Sequence, residues 1–423
     1  MHSKPLNIFC FMTKRGLKMT STPEVYFGST ISGVPSRFAN MSEKMDKILE
    51  RLDLSTIKKR DKVAIKMHLG FNDGYQTVPV FFVRRIVDAI KKQGAFPFVT
   101  DNPTAVYNAA YRGYTQETCG CPIIPVAGIK DGYVRKKKVD VEGVTSLYAA
   151  GALLDADVLV NLTHSKGHGS CGYGGAFKNI ALGGYSGPTR WETIHGIVHR
   201  DEYFNEAKMT KEHLEKLRTA CPRNAPTWND KTGKASLLFY ECDQCHGGKP
   251  LCVEADGGIT GWSIRSENFD AFQELMAAAA KIILDSFEDS KIFHLNFLLD
   301  ITPFCDCMGM AMPAVIDDIG IVASRDIVAV DTASLDLIAK QGVNKSILKK
   351  IPEKYMRVNP NLNSKLHPFQ LIHGPMKDPY KVAKFGEVRG MGSSEYKLIE
   401  ILSAKETSVI EPPKHQYETG PSF

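Results

Sequence analysis

The sequence predicts an α/β protein with a mostly parallel sheet, helices on both faces, and an inserted, irregular subdomain rich in Cys and His. Three observations predict it: short apolar runs typical of buried strands, helix-like segments that follow them, and loss of this alternation between residues 192 and 262. Strands that alternate with helices form parallel sheets covered on both faces. The 423 residues suffice for two domains, or for one large domain with an insertion.

The first half of the chain supplies the clearest elements. Segment 78–93 is predicted as a helix, because Pro79 falls in its first turn and Gly94 stands just after its end. Another helix is expected from Ala176, after a glycine-rich loop. The predicted strands of this half are 24–27, 62–68, 96–101 and 156–162.

The second half resumes the alternation after residue 262. Segments 269–287 and 328–340 are predicted as helices, and 291–300 and 320–323 as strands. The tail is rich in Pro, Lys and His, and a late helix is expected at 395–403. The expected divisions are an N-terminal extension (1–18), the first part of the α/β core (19–191), the Cys/His-rich insert (192–262), the second part of the core (263–350) and a C-terminal tail (351–423).

Composition excludes several classes of protein. The net charge of +6 is small for this length, and the basic residues are scattered apart from the run 135–138, which is interpreted as a solvated loop. This pattern does not indicate nucleic-acid binding. No apolar run approaches the roughly 20 residues of a membrane span, and no signal peptide is recognisable. The ten cysteines are therefore expected in a reducing cytoplasm, as ligands, reactive thiols or core residues and not as disulfides.

Polar side chains follow four of the predicted strands. In open parallel sheets, ligands bind outside the carboxyl ends of the strands, so charged residues converging there indicate a site. A lone histidine is more often structural, but four such strand ends exceed what solvated loops require. If His68 and His164 face each other across adjacent strand ends, either serves as acid or base, because histidine titrates near neutral pH. The candidate catalytic residues are Lys66, His68, Asp101, His164, His168 and Asp300.

The glycine-rich loop 163–179 leads into a predicted helix. Its glycines permit close backbone approach, and a helix N-terminus is a general anion-binding arrangement. The loop has neither a Walker nor a dinucleotide-binding spacing. Three interpretations stand: an anion site, acid–base or metal chemistry at His164 and His168, or a structural turn. The candidate anion-binding residues are Lys166, Gly174, Gly175, Lys178 and Asn179.

A cysteine cluster predicts a metal centre. Cys242, Cys245 and Cys252 resemble a metal knuckle, in which closely spaced thiolates grip one ion from a tight turn. The spacing is not that of a ferredoxin, so an iron–sulfur cluster and zinc both remain, beside unligated thiols. Candidates for a fourth ligand are Cys221, His246, Cys305 and Cys307. Cys305 and Cys307 also follow a predicted strand, which favours a ligand or redox role for them.

Five stretches of the sequence resemble the family catalogued as domain of unknown function 362, whose members are often labelled iron–sulfur cluster-binding or ferredoxin-like proteins. Together they span roughly residues 24–340 in order and spacing. They are 63–70, 98–102, 163–179, 296–307 and 318–331. The resemblance implies a ferredoxin-type insert after the glycine-rich loop, where Cys242, Cys245 and Cys252 stand, and a redox context. It implies no substrate.

Three functional hypotheses follow. The first is a redox or metal-dependent enzyme that acts on a small anionic molecule, with a cysteine-ligated iron–sulfur or metal centre. The second is a non-catalytic, ferredoxin-like electron-transfer protein with a redox partner protein. The third is a zinc-stabilised binding protein. An enzyme needs a closed pocket at the strand ends, whereas an electron carrier needs an exposed cluster.

Overall fold

A nine-stranded mixed sheet organises the computed structural model, which describes residues 22–32, 39–71, 73–242, 250–309, 312–350, 365–403 and 405–412. Within these residues the strand order is β15-β14-β1-β13-β12-β7-β2-β3-β4. The strands are β1 (Glu24–Ser29), β2 (Lys62–Lys66), β3 (Phe96–Asp101), β4 (Ile123–Pro125), β7 (Val158–His164), β12 (Ile292–Leu298), β13 (Gly320–Ser324), β14 (Lys397–Ile401) and β15 (Thr407–Ile410). From β12 to β4 all neighbours are parallel, so the predicted α/β class is confirmed.

Three small hairpins lie outside this sheet in the described residues, each with two antiparallel strands. Their strands are β5 (Val134–Val141) and β6 (Val144–Ala150), β8 (Lys166–His168) and β9 (Gly172–Gly174), and β10 (Pro226–Asn229) and β11 (Lys234–Leu237). The basic run 135–138 therefore lies on strand β5 and not in the solvated loop that was expected, because its residues pair with β6.

Helices cover both faces of the sheet. They are α1 (Met41–Arg51), α2 (Val80–Lys92), α3 (Pro103–Tyr107), α4 (Gln116–Cys119), α5 (Gly151–Leu154), α6 (Ala176–Gly183), α7 (Lys211–Ala220), α8 (Leu251–Asp256), α9 (Ser266–Leu284), α10 (Ile327–Gln341), α11 (Lys345–Leu348), α12 (Pro368–His373) and α13 (Lys381–Val388). Successive strand residues point to opposite faces. Val63 and Ile65 accordingly pack in the core layer of α1 and α2, and Ala64 packs in the layer of α6, α9 and α10.

The late helix predicted at 395–403 is wrong. This segment forms β14, which pairs in parallel with β1 and antiparallel with β15. Leu398 and Ile401 are fully buried there, because the segment is extended and pairs with β1 inside the sheet. The tail also contributes α13, which packs against α9 and α10. The predicted extension 1–18 lies outside the described residues.

The segment 192–262 is only partly irregular. It contains α7, α8 and the β10–β11 hairpin, and its buried Leu214 and Trp262 belong to the same apolar cluster as α6 and α9. A π-helix (Thr189–His195) and a 3₁₀ helix (Gly196–His199) precede α7. None of the described helices is long and apolar enough to span a membrane.

Candidate active site at the strand ends

Lys66, His68 and Asp101 form a buried network at the carboxyl ends of the adjacent parallel strands β2 and β3. Asp101 Oδ1 lies 3.0 Å from Lys66 Nζ, and Asp101 Oδ2 lies 2.6 Å from His68 Nδ1. The Leu69 amide also donates to Oδ2, at 2.9 Å. Burial opposes ionisation of Asp101, but the charges of Lys66 and His68 outweigh it and hold the pKa of this carboxyl well below its usual range. An anionic Asp101 therefore orients both side chains.

Asn179 of α6 fixes this network from the side. Its Oδ1 accepts from Lys66 Nζ at 3.0 Å, and its Nδ2 donates to the carbonyl oxygen of Lys66 at 2.9 Å. Nδ2 also lies 3.1 Å from the carbonyl oxygen of Leu162 on β7. The side chain is thus committed to protein groups. Asn179 positions Lys66, and its expected role in anion binding gains no support from these contacts.

His68 has one ring nitrogen engaged and one open. The Asp101 carboxylate can only accept at Nδ1, so Nδ1 carries a proton, and in the neutral imidazole Nε2 presents a lone pair. Nε2 is buried and has no hydrogen-bond partner among the described residues. The side chain as a whole remains 17% exposed. An oriented imidazole with an open Nε2 is the arrangement of a general base.

His164, Lys166 and Asp306 form a second network beside the first. Asp306 Oδ1 lies 2.6 Å from Lys166 Nζ, and Asp306 Oδ2 lies 3.2 Å from His164 Nδ1. His164 Nε2 is bonded to the carbonyl oxygen of Leu299 at 2.7 Å. Both nitrogens of His164 therefore face acceptors and are engaged. Lys166 also donates to the carbonyl oxygen of Gln76 at 2.5 Å, so its ammonium is committed to the protein.

Asp306, and not the predicted Asp300, is the carboxylate after β12 that contacts His164 and Lys166. Although burial opposes ionisation, the charges of His164 and Lys166 hold the pKa of Asp306 below its usual range. Asp300 is exposed, and its backbone amide donates to Asp318, so its proposed proton-carrying role gains no support from the described contacts. The chain turns after β12 and brings the later carboxylate inward. The signal in the sequence was an acidic residue enclosed by Cys305 and Cys307.

His168, Cys305 and Cys307 lie together next to these networks. One ring nitrogen of His168 and the two sulfurs lie within 4.8 Å of one another, and this is the His/Cys/Asp/Glu group in the described part of the chain with metal-binding spacing. Cys305 and Cys307 form a disulfide, whereas the sequence predicted that the cysteines would not. Burial lowers the pKa of His168 well below the usual value, so its imidazole is neutral, as a metal ligand must be.

A glycine explains how His168 reaches the two cysteines. A Cβ on Gly167 would lie 2.0 Å from the carbonyl oxygen of Pro303, and the Gly167 amide donates to the Thr302 carbonyl oxygen at 3.0 Å. Only glycine allows strand β8 to approach the segment before Cys305 this closely. The ring of His168 then stacks on Phe272 of α9, with 5.9 Å between ring centroids.

Lys178 is the cation of the site that the protein leaves without a carboxylate partner in the described residues. Its Nζ lies 3.7 Å from Cys307 Sγ. Burial lowers the pKa of Lys178 to about 8, partly offset by Asp306. The side chain is only partly buried, and it stands one residue before the network residue Asn179. Among the expected anion-binding residues, Lys178 is therefore the one with charge to offer a ligand.

The N-terminus of α6 is already occupied by a carboxylate of the protein. Asp331 of α10 accepts from the amides of Ala176 and Phe177 at 2.8 and 3.0 Å. A Cβ on Gly175 would lie 2.4 Å from Asp331 Oδ1. Asp331 therefore occupies the amides of this helix terminus, and the expected anion-binding role of Gly174 and Gly175 gains no support from these contacts. The glycines admit the carboxylate of Asp331 instead.

The predicted knuckle is only partly covered by the structure. Cys242 and Cys252 are buried, while Cys245 lies outside the described residues, so the ligand set Cys242, Cys245 and Cys252 stays a prediction.

Two cavities differ in their surroundings. A small, mainly polar cleft adjoins the site, and it is lined by Gly74, Gln76, Thr77, Lys166, Phe304, Cys305 and Asp306. A larger, open groove of about 600 Å³ lies at the other end of the sheet, beside Lys62, Phe96 and Pro122, where β2 and β3 begin. The polar networks lie at the carboxyl ends of the strands. Of the two cavities, the small cleft is therefore the one that adjoins these networks.

Comparisons with known proteins place the chain in context. The model of a family described as Domain of unknown function (DUF362) matches residues 63–336. This region includes both polar networks, His168, Cys305 and Cys307. No curated protein matches the chain.

Among solved structures, the chain is similar to the lactate racemase apoprotein from Thermoanaerobacterium thermosaccharolyticum. The sequence identity is 14% and the TM-score is 0.30. The alignment covers 60% of this chain and 49% of that protein, so the chain spans about half of its length.

Proposed function

This chain belongs to the Domain of unknown function (DUF362) family, and we propose that it is a metal-dependent enzyme whose ion is held by His168, Cys305 and Cys307. The observation that carries the proposal is the convergence of one imidazole nitrogen and two sulfurs within 4.8 Å. These ligands come from β8 and from the 3₁₀ turn that contains Cys307. Two separate parts of the fold thus supply one ligand set.

The donor atoms fit a borderline or soft cation. Two thiolates and one neutral imidazole are typical ligands of zinc, and three protein ligands leave a fourth position for water or substrate. The Cys305–Cys307 disulfide must first be reduced by an external dithiol, which supplies two electrons and two protons, becomes a disulfide itself and leaves two thiols on the protein. Those thiols lose their protons when a metal binds.

Two other side chains of the site, His68 and Lys178, carry groups suited to chemistry. A bound ion would supply Lewis-acid polarisation of a substrate oxygen, or an activated water. His68 offers an oriented lone pair, and Lys178 offers an ammonium group. A protein that used the ion only for stability would not need an open base and a lysine without a carboxylate partner in the described residues. This arrangement favours an enzyme over a zinc-stabilised binding protein or an electron carrier.

Metal analysis tests the proposal. The full chain is purified anaerobically with a thiol reductant, and iron, zinc, nickel and acid-labile sulfide are quantified. We expect about one metal ion per chain, lost in Cys305→Ser and in Cys307→Ser because each removes a thiolate. Cys119→Ser, a buried cysteine on α4, is the matched control and should keep the metal.

The outcomes are distinguishable. Metal content unchanged in Cys305→Ser and Cys307→Ser would refute the proposed ligands. If Cys242→Ser alone removes the metal, the centre lies in the predicted knuckle of Cys242, Cys245 and Cys252. Iron with stoichiometric sulfide would identify an iron–sulfur cluster, and zinc without sulfide would exclude one.

A further inference from the structure

We infer that His68 is the general base of this site and that its substrate is a small organic anion whose negative group lies against Lys178. The inference rests on the proposed function, since it names the substrate class and the proton acceptor of the same site. It is carried by two groups: His68 Nε2, which has no hydrogen-bond partner, and the Lys178 ammonium, which has no carboxylate partner, both within the described residues.

The first group is His68 Nε2, a buried nitrogen without a hydrogen-bond partner in the described residues. A buried polar atom left without a hydrogen bond costs about 1–3 kcal/mol, and native proteins leave few such atoms. His68 Nε2 is one of them within the described chain. His164, the other histidine at these strand ends, has both nitrogens engaged by Asp306 and Leu299. Of the two histidines, only His68 can accept a proton from a substrate without losing a protein contact.

The second group is the ammonium of Lys178, whose positive charge has no carboxylate partner in the described residues. Three lysines lie in or beside the two networks, namely Lys66, Lys166 and Lys178, and the networks themselves contain two carboxylates, Asp101 and Asp306. Lys66 pairs with Asp101 at 3.0 Å and Lys166 pairs with Asp306 at 2.6 Å. The third lysine is left over. An anionic group of the substrate balances it, and a neutral substrate would leave it uncompensated.

The two groups belong to one connected assembly. Lys178 is followed by Asn179, which bonds Lys66, and Lys66 and His68 share the carboxylate of Asp101. The groups that face His68 are Asp101 and Lys66 from the strand ends, and Asp306 from the turn after β12, whose carboxyl responds to the charge of His68. The ring of His68 is therefore linked by hydrogen bonds to Asn179, the residue that follows Lys178 in the chain.

The proton transfer balances without a further reagent. An O–H or C–H bond of the substrate breaks, its proton forms the N–H bond at His68 Nε2, and the electron pair stays on the substrate. The carboxylate of Asp101 stabilises the resulting imidazolium through Nδ1. The ammonium of Lys178 stabilises the negative charge that develops on the substrate.

Anion-directed alkylation tests both groups at once. Bromoacetate and the neutral bromoacetamide each offer a carbon from which Nε2 displaces bromide, so an N–C bond forms as the C–Br bond breaks. The full chain, dialysed against EDTA and kept without thiol reductant, is treated with each reagent, and His68 is followed by peptide mass spectrometry. Rates are normalised to those of N-acetylhistidine with the same reagents.

We expect bromoacetate to modify His68 at least tenfold faster than bromoacetamide after normalisation. Lys178→Met should abolish the preference, Lys178→Arg should keep it, and Lys136→Met, an exposed lysine on β5, is the matched control. His68 unreactive towards both reagents, equal normalised rates, or a preference that survives in Lys178→Met would each overturn the inference. Should Lys178→Met fail to fold, the wild-type rate ratio and Lys178→Arg still decide.

Because the protein is free of metal in this experiment, its result is independent of the proposed ion. Loss of metal in Cys305→Ser together with equal alkylation rates would leave the metal centre standing and remove His68 and Lys178 from the chemistry. Metal retained in Cys305→Ser together with faster alkylation by bromoacetate would remove the metal centre and keep His68 and Lys178 in the chemistry.

Discussion

Single residues decide which polar groups of this site have hydrogen-bond partners among the described residues. His68 and His164 have the same residue type and lie at neighbouring strand ends, but the partners of their second nitrogens differ. The sequence predicted both histidines as acid–base candidates and could go no further. Their difference arises from the Leu299 carbonyl oxygen and from Asp306, which are more than 130 residues away in the chain.

Buried neutral histidines make the stability of this protein depend on acid. His294 on β12 is 1% exposed, and burial lowers its pKa to about 3. In the unfolded chain it titrates near 6.5. Between these values the unfolded chain binds a proton that the folded chain does not, so stability is present at neutral pH and falls as the pH drops below about 6.5.

We predict that His294→Asn reduces this acid sensitivity. From pH 7 to pH 5 the loss attributable to His294 is about 2 kcal/mol, at about 1.4 kcal/mol per pKa unit. Urea unfolding at both pH values should show a difference in unfolding free energy that is smaller by about this amount in the variant. An identical difference in both proteins would mean that His294 is protonated in the folded chain.

At the scale of elements, the local sequence pattern was sufficient to predict the secondary structure of segments that pack in a regular way. The helices predicted at 78–93, 269–287 and 328–340 correspond to α2, α9 and α10, and the strand 96–101 matches β3. The segment 395–403 was predicted with the wrong type. Its extended form depends on pairing with β1, about 370 residues earlier, and such long-range pairing overrides local propensity.

The approach of β8 to the segment before Cys305 gives a prediction for an element. Gly167→Ala would place a Cβ 2.0 Å from the carbonyl oxygen of Pro303, so the two backbones must separate. We expect a loss of about 1–3 kcal/mol of unfolding free energy and weaker metal binding. Gly132→Ala, where the nearest atom lies 3.9 Å away, is the control, measured by urea unfolding and metal content. Equal stability of the two variants would contradict this role of Gly167.

At the scale of the molecule, the sheet gathers groups that the chain keeps far apart. Strands β2, β3, β7 and β12 run in parallel, so residues following each of them arrive at one edge. This topology could be predicted from the alternation of strands and helices. The inward turn that selects Asp306 over Asp300 could not, because it depends on how the segment after β12 packs on the β8–β9 hairpin.

The X-ray absorption spectrum of the protein, reduced and loaded with one equivalent of zinc, tests the proposed centre most directly. We predict two sulfur neighbours at about 2.3 Å and an imidazole nitrogen at about 2.0–2.1 Å, with the sulfur contribution diminished in Cys305→Ser. A first shell without sulfur, or one of four sulfurs that persists in Cys305→Ser, would contradict a centre built from His168, Cys305 and Cys307.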